Sequence, residues 1–227
     1  MGGKEGERSK KEIIMATKKE SATNITIPAI DIRMVTFKVV GDTPLIMHAW
    51  DPKTKQQMLD KMMKKPVAKE RETRNPVKDF IMSMYWLDGA PTEYTEEAFE
   101  TAIKSGKAKF GFPAVALKKS AASAGYRAGI TKDRVSMYGA FHIDGEFVEI
   151  KGIPKMREDM VRVDNGAADI RYRGEFPEWA AEITAKYNAG VVSEAQVVNL
   201  FNIGGFACGI GEWRAEKGGS YGMYHVE

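Results

Sequence analysis

Gly204-Gly205-Phe206-Ala207-Cys208-Gly209-Ile210-Gly211-Glu212-Trp213-Arg214-Ala215-Glu216-Lys217-Gly218-Gly219-Ser220-Tyr221-Gly222, followed by Met223-Tyr224-His225-Val226, decides how this chain is read. Seven glycines fall within these nineteen loop residues, whereas a helix stop requires one. Upstream, Ser193-Glu194-Ala195-Gln196 has the form of a capping box, and Val197, Leu200 and Phe201 give the following helix an apolar face. Downstream, the residues from Met223 read as a strand. A glycine loop between helix and strand lets backbone approach a ligand and present N–H groups to it. Arg214, Lys217, Trp213 and Tyr221 in the same loop are side chains that neutralise phosphates and stack on bases. The alternative is a structural turn in which Gly209, Gly211, Gly218, Gly219 and Gly222 only let the chain reverse. The order is not that of a P-loop, and it is not a dinucleotide fingerprint, because the loop precedes its strand.

Upstream of the loop, Val35, Phe37 and Val39 alternate with Thr36 and Lys38, and Gly41-Asp42-Thr43-Pro44 bends the chain before Leu45-Ile46-Met47-His48. Asp51-Pro52 and Asn75-Pro76 each open a helix. Met58, Leu59, Met62 and Met63 read as the core stripe of the first, and Val77, Phe80, Ile81 and Met84 as that of the second. Residues 64–74 between them are a charged connection expected to be exposed. Thr95 caps a further short helix that stops at Gly106. Phe112-Pro113 leads a helix to Arg127 that is small on one side, for packing on a sheet, and basic on the other, with Lys118, Lys119 and Arg127. Asp144-Gly145 predicts a two-residue hairpin turn that sets Phe141 against Val148 and His142 against Phe147. Residues 156–169 read as an irregular connection, and Trp179 to Tyr187 as a half-exposed strand.

With 227 residues, 43% of them hydrophobic, the chain is long enough for one packed domain with insertions. Met1 to Asn24 mix Lys and Glu without a sustained period and read as a disordered tail. Residues 25–227 then form a single domain carrying a helical insertion over 51–106. No apolar run approaches a bilayer span and no signal-peptide core is present, so cytoplasmic residence and no membrane partner are expected. One cysteine and three scattered histidines exclude an internal disulfide and offer no zinc spacing, so neither metal nor cofactor is expected. The net charge of +3 hides an asymmetry: residues 53–78 carry nine Lys/Arg against three Asp/Glu, and residues 104–134 carry eight against one. Such segregation suits a protein that holds a polyanion along one face.

Without the insertion, the order is strand, helix, hairpin and strand, helix, glycine loop, strand. This is an α+β, ferredoxin-like βαββαβ arrangement, whose open sheet face is a common platform for single-stranded nucleic acid. The segment Thr43-Pro44-Leu45-Ile46, the helix from Phe112-Pro113 to Arg127 and the glycine loop from Gly209 to Gly222 together resemble the RAMP superfamily of CRISPR backbone subunits and CRISPR-RNA-processing proteins. The chain departs from that family's pattern with Met47-His48 in the first segment and with Glu212 and Glu216 in the loop. A fainter resemblance is to uncharacterised phage proteins.

The expected function is non-catalytic binding of single-stranded RNA or DNA, with self-association along the ligand or assembly with other subunits. Lys118, Lys119, Arg127, Arg214 and Lys217 would neutralise phosphates, while Trp213 or Tyr221 would stack a base. Two alternatives stay open. One is a viral assembly protein whose basic and acidic segments attract each other between copies. The other is a metal-independent endoribonuclease, in which the resemblance implies a catalytic role for His48, assisted by Tyr126 or Lys119.

Overall fold

The computed structural model describes residues 29–50, 52–64, 73–162, 166 and 168–227. The chain divides after Ile30, and the architecture is that of Asp31–Glu227. The tail expected over 1–24, the cap assigned to Asp51 and most of the 64–74 connection lie outside the described residues.

Strand β1 (Ile32–Gly41) lies between β9 and the edge strand β10 in the larger sheet. Its Phe37 and Val39 are buried, while Ile32, Met34, Thr36 and Lys38 are exposed, as period-two alternation requires of a strand with one covered face. It pairs antiparallel along its length with β9 (Ala180–Asn188), whose Ala181, Ile183, Ala185 and Tyr187 fill the same buried face. On its other side, Val39 to Gly41 pair with β10 (Tyr224–Val226). The order continues from β9 through β6 (Phe147–Lys151) and β4 (Lys109–Pro113) to β3 (Tyr85–Asp88), and β5 (Phe141–Ile143) also lies against β9. A second antiparallel sheet is built from β2 (Leu45–Met47), β8 (Ala168–Phe176) and β7 (Lys155–Arg162), in the order β2-β8-β7. Six α-helices among the described residues complete an α+β fold. β3 joins the larger sheet from within 51–106, between the helices α2 (Pro76–Met82) and α3 (Glu96–Lys104).

The buried face is covered by α4 (Ala114–Arg127) and α6 (Glu194–Ala207). The Ser193 hydroxyl accepts from the Gln196 N–H and the Gln196 side chain accepts from the Ser193 N–H, which closes the capping box at the start of α6. Phe201 then packs edge-on against Phe37 at 4.9 Å and against Phe141 at 5.8 Å. Each such ring or Leu200-sized side chain, fully buried, contributes about 1.5–3 kcal/mol. The small residues of α4 serve mainly a helix contact: Gly204 lies on the Ser120–Ala121 backbone, and the Ser120 hydroxyl donates to the Gly204 carbonyl at 2.8 Å.

Three expectations are corrected. The Asp144-Gly145 stretch is no hairpin, because β5 and β6 both pair with β9, one after the other. Tyr138 to Ala140, just before β5, end the helix α5 (Arg134–Ala140). The break lets Phe141 and Val148, an odd number of positions apart, both face inward. The irregular connection over 156–169 is most of a long hairpin, since β7 pairs with β8 from Lys155↔Glu175 to Arg162↔Ala168. Finally, the methionine stripe of α1 (Pro52–Met62) is not core: Met58, Leu59, Met62 and Met63 are all exposed, Met62 to 81%.

Candidate nucleic-acid interface

The glycine loop is tied to β2 and to the turn that precedes it. The Glu212 N–H donates to the Ile46 carbonyl at 3.0 Å, the Gly222 N–H to the Pro44 carbonyl at 2.8 Å and the Ile210 N–H to the Gly222 carbonyl at 2.9 Å. Within the loop, the Tyr221 N–H donates to the Trp213 carbonyl and the Glu216 N–H to the Cys208 carbonyl. Much of the loop's backbone hydrogen bonding is therefore internal to the fold. Gly222 shows why: at φ 65°, a Cβ there would stand 1.8 Å from the Ile210 carbonyl oxygen. Gly209 and Gly211 likewise have backbone of the loop or of β2 against them, and Gly219 abuts the Trp213 carbonyl. Gly218 alone of the five faces open space.

So braced, the loop forms one wall of a 560 Å³ cleft whose other wall is the first half of α4. Gly209, Gly211, Glu212, Arg214 and Glu216 line it from the loop, Lys119, Ser120 and Ser123 from α4, Arg134 and Tyr138 from α5, Tyr85 from β3, and His48 from the end of β2. The helix entry is fixed by the Ala114 N–H, which donates to the Glu146 carbonyl at 2.9 Å. Sequence reasoning thus named His48, Lys119, Arg214, Gly209 and Gly211 among the lining residues, and missed Arg134, Tyr85 and Tyr138. Arg134 lay in the 104–134 basic block, the one signal that could have found it.

The two loop carboxylates are engaged by the protein's own cations. Glu216 pairs with Arg214 at 3.2 Å and with Arg127 at 4.0 Å. Glu212 lies 3.5 Å from His48 Nδ1 and 3.9 Å from Arg173. The contact with His48 chiefly holds the Glu212 carboxyl below its usual range, against the burial that opposes ionisation, with Arg173 and Arg214 adding to it. Burial raises the Tyr85 phenol, and the Glu212 charge adds to that. Among the described residues no carboxylate pairs with Lys119 or Arg134, and the Arg134 guanidinium lies 5.3 Å from the centre of the Tyr126 ring.

The remaining expected residues lie apart from the cleft lining. Lys118 points to His142. Lys217 is exposed on the short 3₁₀ turn Ala215–Lys217, and Trp213 is 44% exposed with a left-handed backbone at φ 52°. Tyr221 is engaged by the second sheet: the Arg157 guanidinium sits 4.7 Å from its ring centre and donates to its hydroxyl at 3.2 Å. That contact covers a ring face that a stacked base would need.

Arg157 belongs to a buried charge network behind the cleft. Asp159 accepts from Arg157 Nε at 2.8 Å and from Arg173 Nη1 at 3.0 Å. Arg173 is 3% exposed, and its Nε has no hydrogen-bond partner among the described residues.

These features define an α+β protein with a basic, partly aromatic cleft between a helix and a braced glycine loop. No protein-family model matches the sequence, and no curated protein does. Among solved structures, the crystal structure of Cmr6 from Pyrococcus furiosus is similar to this chain with a TM-score of 0.36 and 11% identity, covering 88% of this chain and 100% of that one. Among the described residues no helix is long and apolar enough to cross a membrane, and no group of three or more His, Cys, Asp or Glu could hold a metal ion.

Proposed function

We propose that this protein binds single-stranded nucleic acid in the cleft between α4 and the glycine loop, on a RAMP-like, ferredoxin-type framework. The framework reading is supported by the strand order β10-β1-β9-β6, with α4 and α6 as the two connecting helices. The binding reading is carried by one observation: Lys119 and Arg134 face the cleft, beside Tyr85 and Tyr138, with no carboxylate partner among the described residues. Unpaired cations attract phosphates and release counterions, and neighbouring rings accept stacked bases. Arg214 and Arg127 add charge offset by Glu216, while Lys217 and Trp213 would extend the contact onto the rim. The open sheet face, by contrast, presents Thr36, Thr184 and Lys186 near its centre, with Thr36 and Thr184 hydrogen-bonded to each other at 2.9 Å, and offers no ring there.

Salt-titrated binding of labelled oligouridylate and oligothymidylate tests the reading. Lys119→Ala and Arg134→Ala should each weaken binding for all sequences and lower the salt slope by about one phosphate. Wild-type affinity and slope in both variants would leave the cleft without this role. Comparing the two oligomers reports the choice between RNA and DNA, which turns on the 2′-hydroxyl.

The His48–Glu212 contact in the same cleft favours a second reading, metal-independent RNA cleavage. Glu212 would orient the imidazole to take the proton of a ribose 2′-hydroxyl, whose oxygen attacks the adjacent phosphorus. The P–O5′ bond breaks, and Lys119 protonates the leaving oxygen. Cleavage of labelled RNA by the wild type and its loss in His48→Ala are expected on this reading; undiminished cleavage by the variant would remove His48 from it.

A further inference from the structure

Beside the first turn of α4 a second recess, of 340 Å³, holds a contact that the cleft does not use. Lys118 Nζ lies 2.9 Å from His142 Nδ1. An ammonium can hydrogen-bond an imidazole nitrogen only if that nitrogen carries no proton. His142 is flanked on β9 by Lys186, its cross-strand partner, and such partners stand about 5 Å apart at Cβ. The charged groups around the ring are therefore Lys118 from α4, Lys186 from β9, and Asp144 and Glu146 from the break between β5 and β6. Asp144 is taken by Lys186 at 2.7 Å. Among the described residues no carboxylate is hydrogen-bonded to Lys118 or His142. Burial first, then the Lys118 charge, holds His142 below the usual imidazole range, and burial also lowers the Lys118 ammonium.

This recess shares Pro113 and Val115 with the cleft, so the two adjoin round the start of α4. We propose that Lys118 and His142 form a second phosphodiester contact on the strand held in the cleft, and that this contact takes up one proton as the ligand binds. The proposal rests on the nucleic-acid reading for its ligand. An anionic oxygen entering between Lys118 and His142 gives the ammonium a better acceptor than the ring nitrogen. The freed Nδ1 then gains a proton from solvent and donates to the same oxygen. Above the bound-state pKa the ring is neutral with and without ligand, and affinity is independent of pH. As pH falls through that value, affinity rises, and it levels off below the free-state pKa, where the ring is charged in both states.

Two measurements test this. Oligouridylate affinity is followed between about pH 8 and pH 5.5, a range only histidine among unperturbed side chains spans, for the wild type and for His142→Gln. In parallel, the ring resonances of His142 are titrated by NMR with and without inorganic pyrophosphate. The expected result is a wild-type affinity that rises about tenfold per unit by which the ligand lifts the imidazole pKa. His142→Gln should lack the rise whatever its affinity at the alkaline end, and pyrophosphate should move the His142 midpoint upward. Oligomer binding whose pH slope survives in His142→Gln, together with an unmoved midpoint, overturns the proposal and leaves the cleft reading standing. Absence of oligomer binding with a midpoint raised by pyrophosphate overturns the cleft reading and leaves a proton-linked anion site. Failure of both removes both.

Discussion

Gly222 and Gly218 share a left-handed backbone, with φ of 65° and 80°, yet only Gly222 is crowded. Gly222→Ala adds a collision with the Ile210 carbonyl to the cost of positive φ and should destabilise the protein by about 3 kcal/mol or more. Gly218→Ala meets only the backbone cost, about 1–2 kcal/mol. Thermal melts of the two variants check this, and equal losses would mean that the backbone conformation, and not close approach, requires glycine at 222. The sequence makes the glycine density plain but hides its cause. Gly211 is tight against the Ile46 carbonyl and Tyr221 lies under Arg157, and neither neighbour is near in the chain. Side-chain type announced a loop able to meet a ligand, while the partners that occupy it come from β2 and β7.

At the scale of elements, periodicity located β1, β9 and α6 because each buries one face against the same core, and burial on one face is what imposes a period. It failed where burial and period part company. β7 reads Lys-Met-Arg-Glu-Asp-Met-Val-Arg and buries Asp159 rather than an apolar residue, so it carries no apolar alternation to detect. α1 carries an apolar stripe without a partner among the described residues, so its pattern imitates a core helix. Met62→Ser and Leu59→Ser should accordingly shift stability by no more than about 0.5 kcal/mol each. Leu200→Ala, on α6 and 1% exposed, should cost about 2–5 kcal/mol. Urea titration distinguishes the two sets, and a core-sized loss at Met62 would mean that the stripe is covered in solution.

Across residues 31–227 the two sheets share one apolar core, in which Phe110 packs on Phe176 at 5.1 Å, and a polar seam joins the smaller sheet to the glycine loop. Arg157, Asp159 and Arg173 of the smaller sheet reach Tyr221 and Glu212 of the glycine loop, and Glu212 reaches His48. Burial opposes the Asp159 charge, but the hydrogen bonds from Arg157 and Arg173 outweigh it and hold the carboxyl below its usual value. The stability it supplies is thus complete above the ordinary carboxylate pKa of about 3.9 and is lost as pH falls through the lowered value. Asp159→Ala leaves buried Arg173 with only the 3.9 Å contact to Glu212, and should cost about 3–5 kcal/mol near neutrality. The variant should also show a shallower fall of melting temperature in acid than the wild type. An unchanged neutral melting temperature would mean that the seam is not held by charge. Strands β1 and β9 and helices α4 and α6 were legible in the chain, since each is local. The seam was not, because it couples residues from three separate stretches, and Arg157 and Arg173 come together only once β7 pairs with β8 over residues read as an irregular connection.

Cys208, the single cysteine, is 1% exposed at the foot of the loop, and its carbonyl accepts the Glu216 N–H. Burial first raises its thiol above the usual range, so little reactive thiolate exists while the loop is closed. Its alkylation by a soluble reagent therefore keeps time for the loop, because each labelling event requires an opening. An oligonucleotide seated against the loop should lengthen the labelling half-life, one bound only at Lys118 and His142 should leave it unchanged, and the ratio of the two half-lives turns the sole thiol into a clock for where the ligand rests.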